Sequence, residues 1–223
     1  MDRNPLPEAA FVAPDGSNAG AVRDLSEATL EAVLDALTAA TDRSPLPADP
    51  VVPDAVIPER PRSTASLLED VERVVAGSMN PSHPGYVGHM DTQPSLVSVL
   101  GDLVAAAVNN NMLSVEMSPV LSELEVALCR ELAGAFGLGP EPGGVMASGG
   151  SLANLQALAV ARNRAFDAAE TGLGGADPVV FASEVAHTSL RKAAMLLGLG
   201  TDAVRPVATD ADSRLDPVAL REA

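Results

Sequence analysis

The sequence predicts an α/β fold in which short buried strands alternate with helices. Residues 143–162 form the first strand–turn–helix pattern, in which a short apolar strand leads through a turn of small residues into an apolar-striped helix. Residues 178–199 repeat that pattern, and a third strand is expected over residues 204–207. Strands that alternate with helices are typical of parallel sheets, so we predict parallel pairing in this half of the chain.

The first half of the chain predicts helices joined by irregular segments. Residues 1–23 are polar and rich in Pro, Gly and Asn, which favours a loose arm. A helix is expected next, followed by a proline-rich connector over residues 44–62 and a second helix over residues 63–76. Ser66 and Glu69 have the spacing of a capping box, which would start that helix later. The stripe of the first helix consists of Leu30, Val33, Leu34 and Leu37.

Two further helices precede the turn of small residues that follows the first predicted strand. One is predicted to begin near Pro94, a favoured first-turn residue, and to end at the polar run of residues 109–111. The other begins at Ser118-Pro119, an N-cap followed by a first-turn proline, and ends at Gly137. Asp216-Pro217 predicts a last helix by the same signal.

Composition excludes several classes of partner and predicts the compartment. The 223 residues carry a net charge of −16, which disfavours nucleic acid and anionic membranes as partners. No apolar run approaches transmembrane length, and the N-terminus lacks the features of a signal peptide. Cys129 is the only cysteine, lies among apolar residues, and is expected to be a buried thiol rather than a nucleophile. We therefore predict a cytoplasmic protein.

The charged residues also suggest a hypothesis about salt. The chain has 30 acidic residues, and Lys192 is its only lysine. This bias would suit a high-salt cytoplasm, but a GC-rich genome would produce it as well. Unfolding of the protein in low salt would favour the first explanation.

The turn at residues 148–151 is suited to bind an anion. Gly149 and Gly150 carry no Cβ, so a ligand can approach the backbone, and Ser151 can cap the helix or offer a hydroxyl. Free N–H groups and the positive end of the helix dipole would point at one place, which best suits a phosphate. The alternative is a tight strand-to-helix turn without a ligand.

The histidines suggest a second part of the site. His187 lies just past the end of a predicted strand and just before a helix, where ligands bind in open α/β sheets. The alternative is that His187 only caps that helix. His83 and His89 are separated by prolines and lack a helical metal spacing, so no metal site is expected. Their loop is either a structural Pro-His loop or a rigid pocket wall.

Several motifs in order resemble one enzyme family, the group II pyridoxal-phosphate-dependent amino-acid decarboxylases, over about residues 63–221. That family includes the glutamate, aromatic-amino-acid and diaminobutyrate decarboxylases. The motifs are His83-Pro84, His89-Met90, Asn109-Asn110-Asn111-Met112, Ser118-Pro119-Val120, Glu123-Leu124-Glu125, Ser148-Gly149-Gly150-Ser151, Asn154-Leu155, Ala161-Arg162, Ser183-Glu184 and His187-Thr188-Ser189-Leu190-Arg191-Lys192.

The resemblance implies the fold-type I PLP-dependent transferase (aminotransferase-like) large domain, truncated and preceded by N-terminal helices. On this basis residues 1–80 are assigned to an N-terminal arm and helices that pack in a dimer, and residues 81–223 to an incomplete PLP-binding large domain. Family members work as homodimers with their sites at the interface, so we expect a homodimer or a C-terminal partner fragment.

The resemblance also implies the roles of particular residues. Pyridoxal 5'-phosphate would be held by Gly150, Ser151 and Asn154, and His187 would stack on its ring and take part in proton transfer. The substrate pocket maps to residues of two segments, the second of which would be contributed by the partner subunit. These residues are His89, Met90, Asp91 and Thr92, then Asn111 and Leu113.

Two catalytic groups of the family are not matched in this sequence. The family's Schiff-base lysine and pyridine aspartate lie further along its chain than residue 223. Lys192 matches a different lysine of the motif and is expected to be a surface helix residue. The sequence is therefore expected to be a fragment, a truncated gene product or half of a split enzyme, inactive alone.

The reaction expected is decarboxylation of an amino acid, with the substrate and some alternatives open. The polar residues of the pocket segment favour a small polar or acidic substrate such as glutamate, aspartate or diaminobutyrate. Aminotransferases and sphingosine-phosphate-type lyases share the fold. The alternative from another class is a truncated non-catalytic remnant that binds a phosphate-bearing ligand or a homologous subunit.

Overall fold

The chain divides into two compact units, Met1–Asn109 and Asn110–Ala223. The structure is a computed structural model, and it describes residues 6–48, 59–88, 90–139 and 141–223. The division lies later than the boundary predicted at residue 80. The assignment of residues 81–109 to the large domain stays a prediction.

The N-terminal unit is helical in the ranges that the structure describes. Its helices are α1 (Ala19–Thr38), α2 (Thr64–Ala76) and α3 (Leu96–Val108). Short 3-10 turns at Glu8–Ala10 and Ala40–Asp42 flank α1. Helix α3 ends where Asn109 adopts a left-handed conformation with φ 44°, as the polar run at its end predicted.

The segment before α1 is more ordered than the predicted loose arm. Asn18 is buried, and its side chain accepts a hydrogen bond from the N–H of Ala13 at 2.8 Å. The same side chain donates to the carbonyl oxygens of Glu8 and Phe11 at 2.7 and 2.6 Å. The prediction over residues 1–23 was wrong from residue 6 onward, because one polar side chain satisfies three backbone groups.

Helix α2 begins where its first serine caps it. The Ser63 hydroxyl oxygen accepts a hydrogen bond from the N–H of Ser66 at 3.2 Å. The predicted helix over residues 63–76 is confirmed, and the capping box of Ser66 with Glu69 is not formed. Only part of the proline-rich connector lies within the described residues.

Asn80 attaches the end of this helical segment to the turn after α1. Its side chain donates to the carbonyl oxygens of Ala40 and Arg43 at 2.7 and 3.2 Å. Its backbone N–H donates to Pro45 at 2.9 Å. These bonds join residue 80 to the turn after α1 within the first unit.

The second unit contains helices and a parallel strand pair. The helices are α4 (Pro119–Ala135), α5 (Gly150–Phe166), α6 (Ala168–Thr171), α7 (Ser189–Leu196) and α8 (Pro217–Glu222). The strands are β1 (Val180–Ser183) and β2 (Val204–Val207). Among the described helices, none has both the length and the apolar character needed to cross a bilayer.

Strands β1 and β2 pair in parallel, with Val180 opposite Val204 and Ser183 opposite Val207. Helix α7 forms the crossover between them, which is the usual way to connect parallel strands. Ala193, Ala194 and Val207 are buried in this part of the unit. The predicted strand–helix–strand order over residues 178–207 is confirmed.

The predicted strand over residues 143–147 is not formed. These residues pair with no strand in the part of the chain that the structure describes. A strand needs a neighbour for its backbone groups, and here the N–H of Met146 donates instead to the carboxylate of Glu125 at 2.8 Å. Apolar residues alone could not distinguish such an extended segment from a paired strand.

Candidate functional site

Helices α5 and α7 lie side by side with their N-terminal ends together. Near those ends the side-chain nitrogen of Asn154 donates to the hydroxyl oxygen of Ser189 at 2.9 Å. Near the other ends the guanidinium of Arg162 donates to the carbonyl oxygen of Leu197 at 2.9 Å. Both contacts join residues 35 apart in sequence. The parallel alignment places the positive ends of two helix dipoles next to each other.

The first turn of α5 is open and rich in hydrogen-bond donors. Gly149, the N-cap residue of α5, has φ 90°, a conformation that favours glycine. Because glycine has no side chain, it cannot accept a hydrogen bond from the first N–H groups of the helix. The N–H groups of Gly150, Ser151 and Leu152 start the helix and have no intrahelical acceptor. No acidic residue lies in this turn. A Cβ built at Gly149 or Gly150 meets no atom of the described chain within 4 Å.

This turn has the features that bind a phosphate. It offers several N–H donors, a positive dipole end, no competing carboxylate and free space. The anion cradle predicted from the glycines therefore fits the geometry.

The segment that leads into the turn is anchored on α4. Glu125 holds it through the N–H of Met146. Gly144 passes close to Cys129, since a Cβ on Gly144 would lie 3.2 Å from the Cβ of Cys129. The Cys129 thiol is buried, as predicted. These contacts fix the direction from which the chain enters the turn.

His187 lies between β1 and α7, where the sequence placed it. Its Nδ1 is 2.9 Å from the hydroxyl oxygen of Ser189, and it accepts a hydrogen bond from the Ser189 N–H at 3.2 Å. Thus His187 satisfies a first-turn donor of α7, as its capping alternative predicted. Its ring remains exposed, so it can also contact a ligand.

A cleft of about 360 Å³ opens beside His187. Glu184, Arg191 and Arg205 contribute charged groups to its walls. Glu184 is engaged, since one carboxylate oxygen accepts from the N–H and the hydroxyl of Thr209 at 3.0 and 2.9 Å. Asp202 and apolar residues such as Leu190 and Val204 also line the cleft, so the surroundings of the histidine are mixed in polarity.

The predicted substrate residues belong to both units. Met90, Asp91 and Thr92 lie outside any helix or strand of the first unit, and the Met90 side chain is 98% exposed. His89 lies outside the described residues. In the second unit the side-chain oxygen of Asn111 accepts from the N–H of Leu113 at 2.8 Å. Leu113 itself is 83% exposed.

The structure brings together the four residues predicted to bind the cofactor, and Ser189 lies between two of them. Gly150, Ser151 and Asn154 share the start of α5, and Ser189 joins Asn154 to His187. Sequence reasoning gave Ser189 no role. A contact of Ser189 with His187 could have been predicted from its position two residues after the histidine, at the start of a helix. Lys192 is exposed on α7, as expected.

Comparisons with known proteins define the class. Residues 47–223 match the family model described as the pyridoxal-dependent decarboxylase conserved domain. The chain belongs to this family, whose cofactor is pyridoxal 5'-phosphate.

Two relatives by sequence are fungal proteins. A glutamate decarboxylase-like protein of Gibberella zeae is 33% identical over 162 residues, which cover 72% of this chain and 31% of the relative. An L-aspartate decarboxylase of Metarhizium robertsii is 32% identical over 158 residues, which cover 70% of this chain and 32% of the relative. The chain therefore spans about a third of the length of these curated relatives.

Solved structures agree in fold. Mouse CSAD is similar with a TM-score of 0.83 and 25% identity, covering 91% of this chain and 44% of that one. Oryza sativa TDC with PLP and tryptamine has a TM-score of 0.79 and 25% identity, covering 95% of this chain and 48% of that one. The predicted fold-type I class is confirmed, and the chain corresponds to less than half of these structures.

Proposed function

We propose that this chain forms the phosphate-binding and ring-binding part of a PLP-dependent carboxy-lyase that acts on a small acidic or polar amino acid. The observation that carries the proposal is the meeting of the open α5 turn and His187 through Ser189. A phosphate donor set and an exposed imidazole then lie on neighbouring helix ends, and the residues present fit the family's cofactor.

Each residue has a stated task in this proposal. The N–H groups of Gly150 and Ser151 hold the phosphate, and the Ser151 hydroxyl adds a further donor. Asn154 fixes the start of α7 beside them. His187 covers the ring with its exposed face and holds or moves a proton at Nε2. The cofactor, when bound, supplies an electron sink for the carbanion left by loss of CO2.

The substrate segment is proposed on chemical grounds. In the segment of His89, Met90, Asp91 and Thr92, all but the methionine offer hydrogen-bond donors or acceptors, which suit a polar or charged side chain better than an indole. The similarity to a glutamate decarboxylase-like protein and to an L-aspartate decarboxylase supports this choice. The likeness to a structure that holds tryptamine points the other way, so aromatic substrates belong in the test.

The proposal includes a homodimer in the cytoplasm, with Asn111 and Leu113 reaching the partner's site. Helix α3 supports a protein partner because it exposes apolar side chains that water disfavours. These include Leu96, Val97, Leu100, Leu103, Val104 and Val108. A C-terminal partner fragment that supplies the Schiff-base lysine is the second form of the same proposal.

A non-catalytic chain is the competing function. It is favoured by one observation, the exposure of the only lysine, Lys192, on α7. Such a chain would bind phosphate-bearing ligands or a homologous subunit without reacting. Borohydride reduction with pyridoxal phosphate and a C-terminal partner fragment distinguishes the cases, since a cofactor fixed on a lysine of the partner would support the catalytic function. A cofactor fixed on Lys192 would show that this chain forms the Schiff base itself.

The phosphate site is tested by binding. We would measure the affinity of the purified chain for pyridoxal phosphate and for pyridoxal, with the Ser151→Asp variant and its neutral control Ser151→Asn. A carboxylate in the first turn suits the helix dipole but repels phosphate, so we expect Ser151→Asp to lose about tenfold or more in affinity without losing stability. Equal affinity for both ligands in the unmodified chain would refute the phosphate site.

The reaction is tested with the chain completed by its C-terminal part or partner. We would compare release of CO2 from glutamate, aspartate, diaminobutyrate and tyrosine. Faster turnover of tyrosine would refute the substrate class but not the reaction.

A further inference from the structure

Ser189 is a buried hydroxyl that the proposed reaction does not use. Its residue is 2% exposed, and it contacts His187 on one side and Asn154 on the other. We propose that Ser189 is a positioning residue that holds His187 in the tautomer with its proton on Nε2, and that Asn154 orients the Ser189 hydroxyl for this task. Its relevance to catalysis rests on the proposed function, whereas the tautomer itself does not.

The backbone of Ser189 determines the direction of the hydrogen bond. A backbone N–H can only donate, and that of Ser189 is 3.2 Å from Nδ1 of His187. Nδ1 must therefore present its lone pair. In a neutral imidazole the proton is then on Nε2, and the Ser189 hydroxyl, 2.9 Å from Nδ1, shares the single lone pair of Nδ1 as the second donor of a three-centre hydrogen bond.

Asn154 is consistent with only one orientation of that hydroxyl. Its side-chain nitrogen donates to the Ser189 oxygen at 2.9 Å, which leaves the hydroxyl hydrogen free to point at His187. If the amide oxygen of Asn154 faced Ser189 instead, the hydroxyl hydrogen would be used there. Nδ1 would then need to donate while facing the Ser189 N–H, and two donors would oppose each other.

The burial of Ser189 strengthens the preference of His187 for one tautomer. Water cannot replace the Ser189 hydroxyl easily, so loss of its hydrogen bond is not compensated by solvent. His83 offers a reference in the same chain, because its Nδ1 accepts from the Gly85 N–H at 2.9 Å in an exposed loop. The consequence for the site is that Nε2 becomes the ring nitrogen that can offer a hydrogen to a bound ligand.

The test reads the tautomer directly. With ¹⁵N-labelled histidine in the full 223-residue chain, long-range ¹H–¹⁵N correlation spectra distinguish protonated from unprotonated ring nitrogens, and His187→Gln assigns the signals. In the parent chain at neutral pH we expect an unprotonated Nδ1 at His187. In Ser189→Ala we expect the ratio of the two tautomers to fall about fivefold, the equivalent of one hydrogen bond.

Two variants separate positioning from a general structural role. Ser189→Thr retains the hydroxyl and is expected to restore the ratio. Asn154→Leu removes the orienting donor and is expected to shift the ratio in the same direction as Ser189→Ala. The His83 signals should stay unchanged in all of them. If Ser189→Ala does not fold, Asn154→Leu still tests the proposal, and an unchanged ratio in that variant would contradict it.

The outcomes are distinct from those of the proposed function. A proton on Nδ1 in the parent chain, or an unchanged ratio in Ser189→Ala, would overturn the positioning role even if pyridoxal phosphate binds. If the chain does not bind pyridoxal phosphate but Ser189→Ala shifts the tautomer ratio as expected, the proposed function is overturned and the positioning role remains.

Discussion

Arg162 donates from its guanidinium to the carbonyl oxygen of Leu197, at the end of α7 where helical carbonyls lack partners. This bond closes the far ends of the two helices whose near ends carry the site. We therefore expect the alignment of the two N-terminal ends to depend in part on Arg162.

We expect Arg162→Met to destabilise the chain by about 1–2 kcal/mol, because it leaves the Leu197 carbonyl without its charged donor. Urea denaturation measures the change, and hydrogen exchange at α7 amides locates it. Arg164→Met is the matched control, since Arg164 is exposed on the same helix and should shift stability by less than about 0.5 kcal/mol. Equal effects of the two variants would contradict the alignment role.

Asn80 is expected to be intolerant of a carboxylate. Its side-chain nitrogen faces two carbonyl oxygens in a site where Asn80 is 2% exposed, so Asn80→Asp would place acceptors against acceptors. We expect a loss of about 3 kcal/mol for Asp and about 2 kcal/mol for Ala, measured by denaturant midpoints. The exposed Asn110→Asp should be neutral. An Asp variant as stable as the parent would disprove these contacts.

Gly143 and Gly144, which precede the turn at residues 148–151, should differ in their tolerance of an alanine. Gly144→Ala would bring its Cβ within 3.2 Å of Cys129, whereas a Cβ at Gly143 meets nothing within 4 Å in the described chain. We expect Gly144→Ala to cost about 1–2 kcal/mol and to raise hydrogen exchange at the Met146 amide, with Gly143→Ala near neutral. Equal exchange in both variants would show that this segment does not rest on α4.

Asp15 provides a prediction about pH. The N–H of Ser17, 3.0 Å from a carboxylate oxygen, is the main cause that lowers the pKa of Asp15, and the Ser17 hydroxyl adds to it. Because the folded pKa is the lower one, the contribution to stability is present above the unfolded pKa and is lost as pH falls through the folded pKa.

Carbon-13 titration of the Asp15 carboxyl checks this direction. The midpoint should be lower in the folded chain than in urea. Ser17→Ala should raise the pKa of Asp15 only part of the way, since the backbone donor remains. A full return to the unfolded midpoint would mean that the hydroxyl, not the N–H, is the main cause.

Local signals in the sequence predicted much of the fold. Pro119 marked the start of α4, Asn109 the end of α3, and Ser63 lies at the N-cap of α2. The glycine turn before α5 and the position of His187 were also readable, because each depends on residues a few positions apart.

Contacts between distant residues were not readable. Asn18 looked like any polar residue of a loop, yet it orders the segment before α1. Residues 143–147 have the composition of a strand, but pairing depends on a neighbour that composition does not reveal. The role of Ser189 depends on its hydrogen bond with Asn154. That contact results from the packing of α5 on α7, which no local sequence pattern indicates.

The distance in sequence between Asn154 and Ser189 has a consequence for biosynthesis. Ser189 is 35 residues later, so at about 5–20 residues per second it leaves the ribosome about 2–7 s after Asn154. During that interval residues 150–154 lack the α7 residues that they contact in the folded chain. The glycine turn before α5 is therefore synthesised earlier than His187, and the contact between Asn154 and Ser189 can form only after the second of the two residues has emerged.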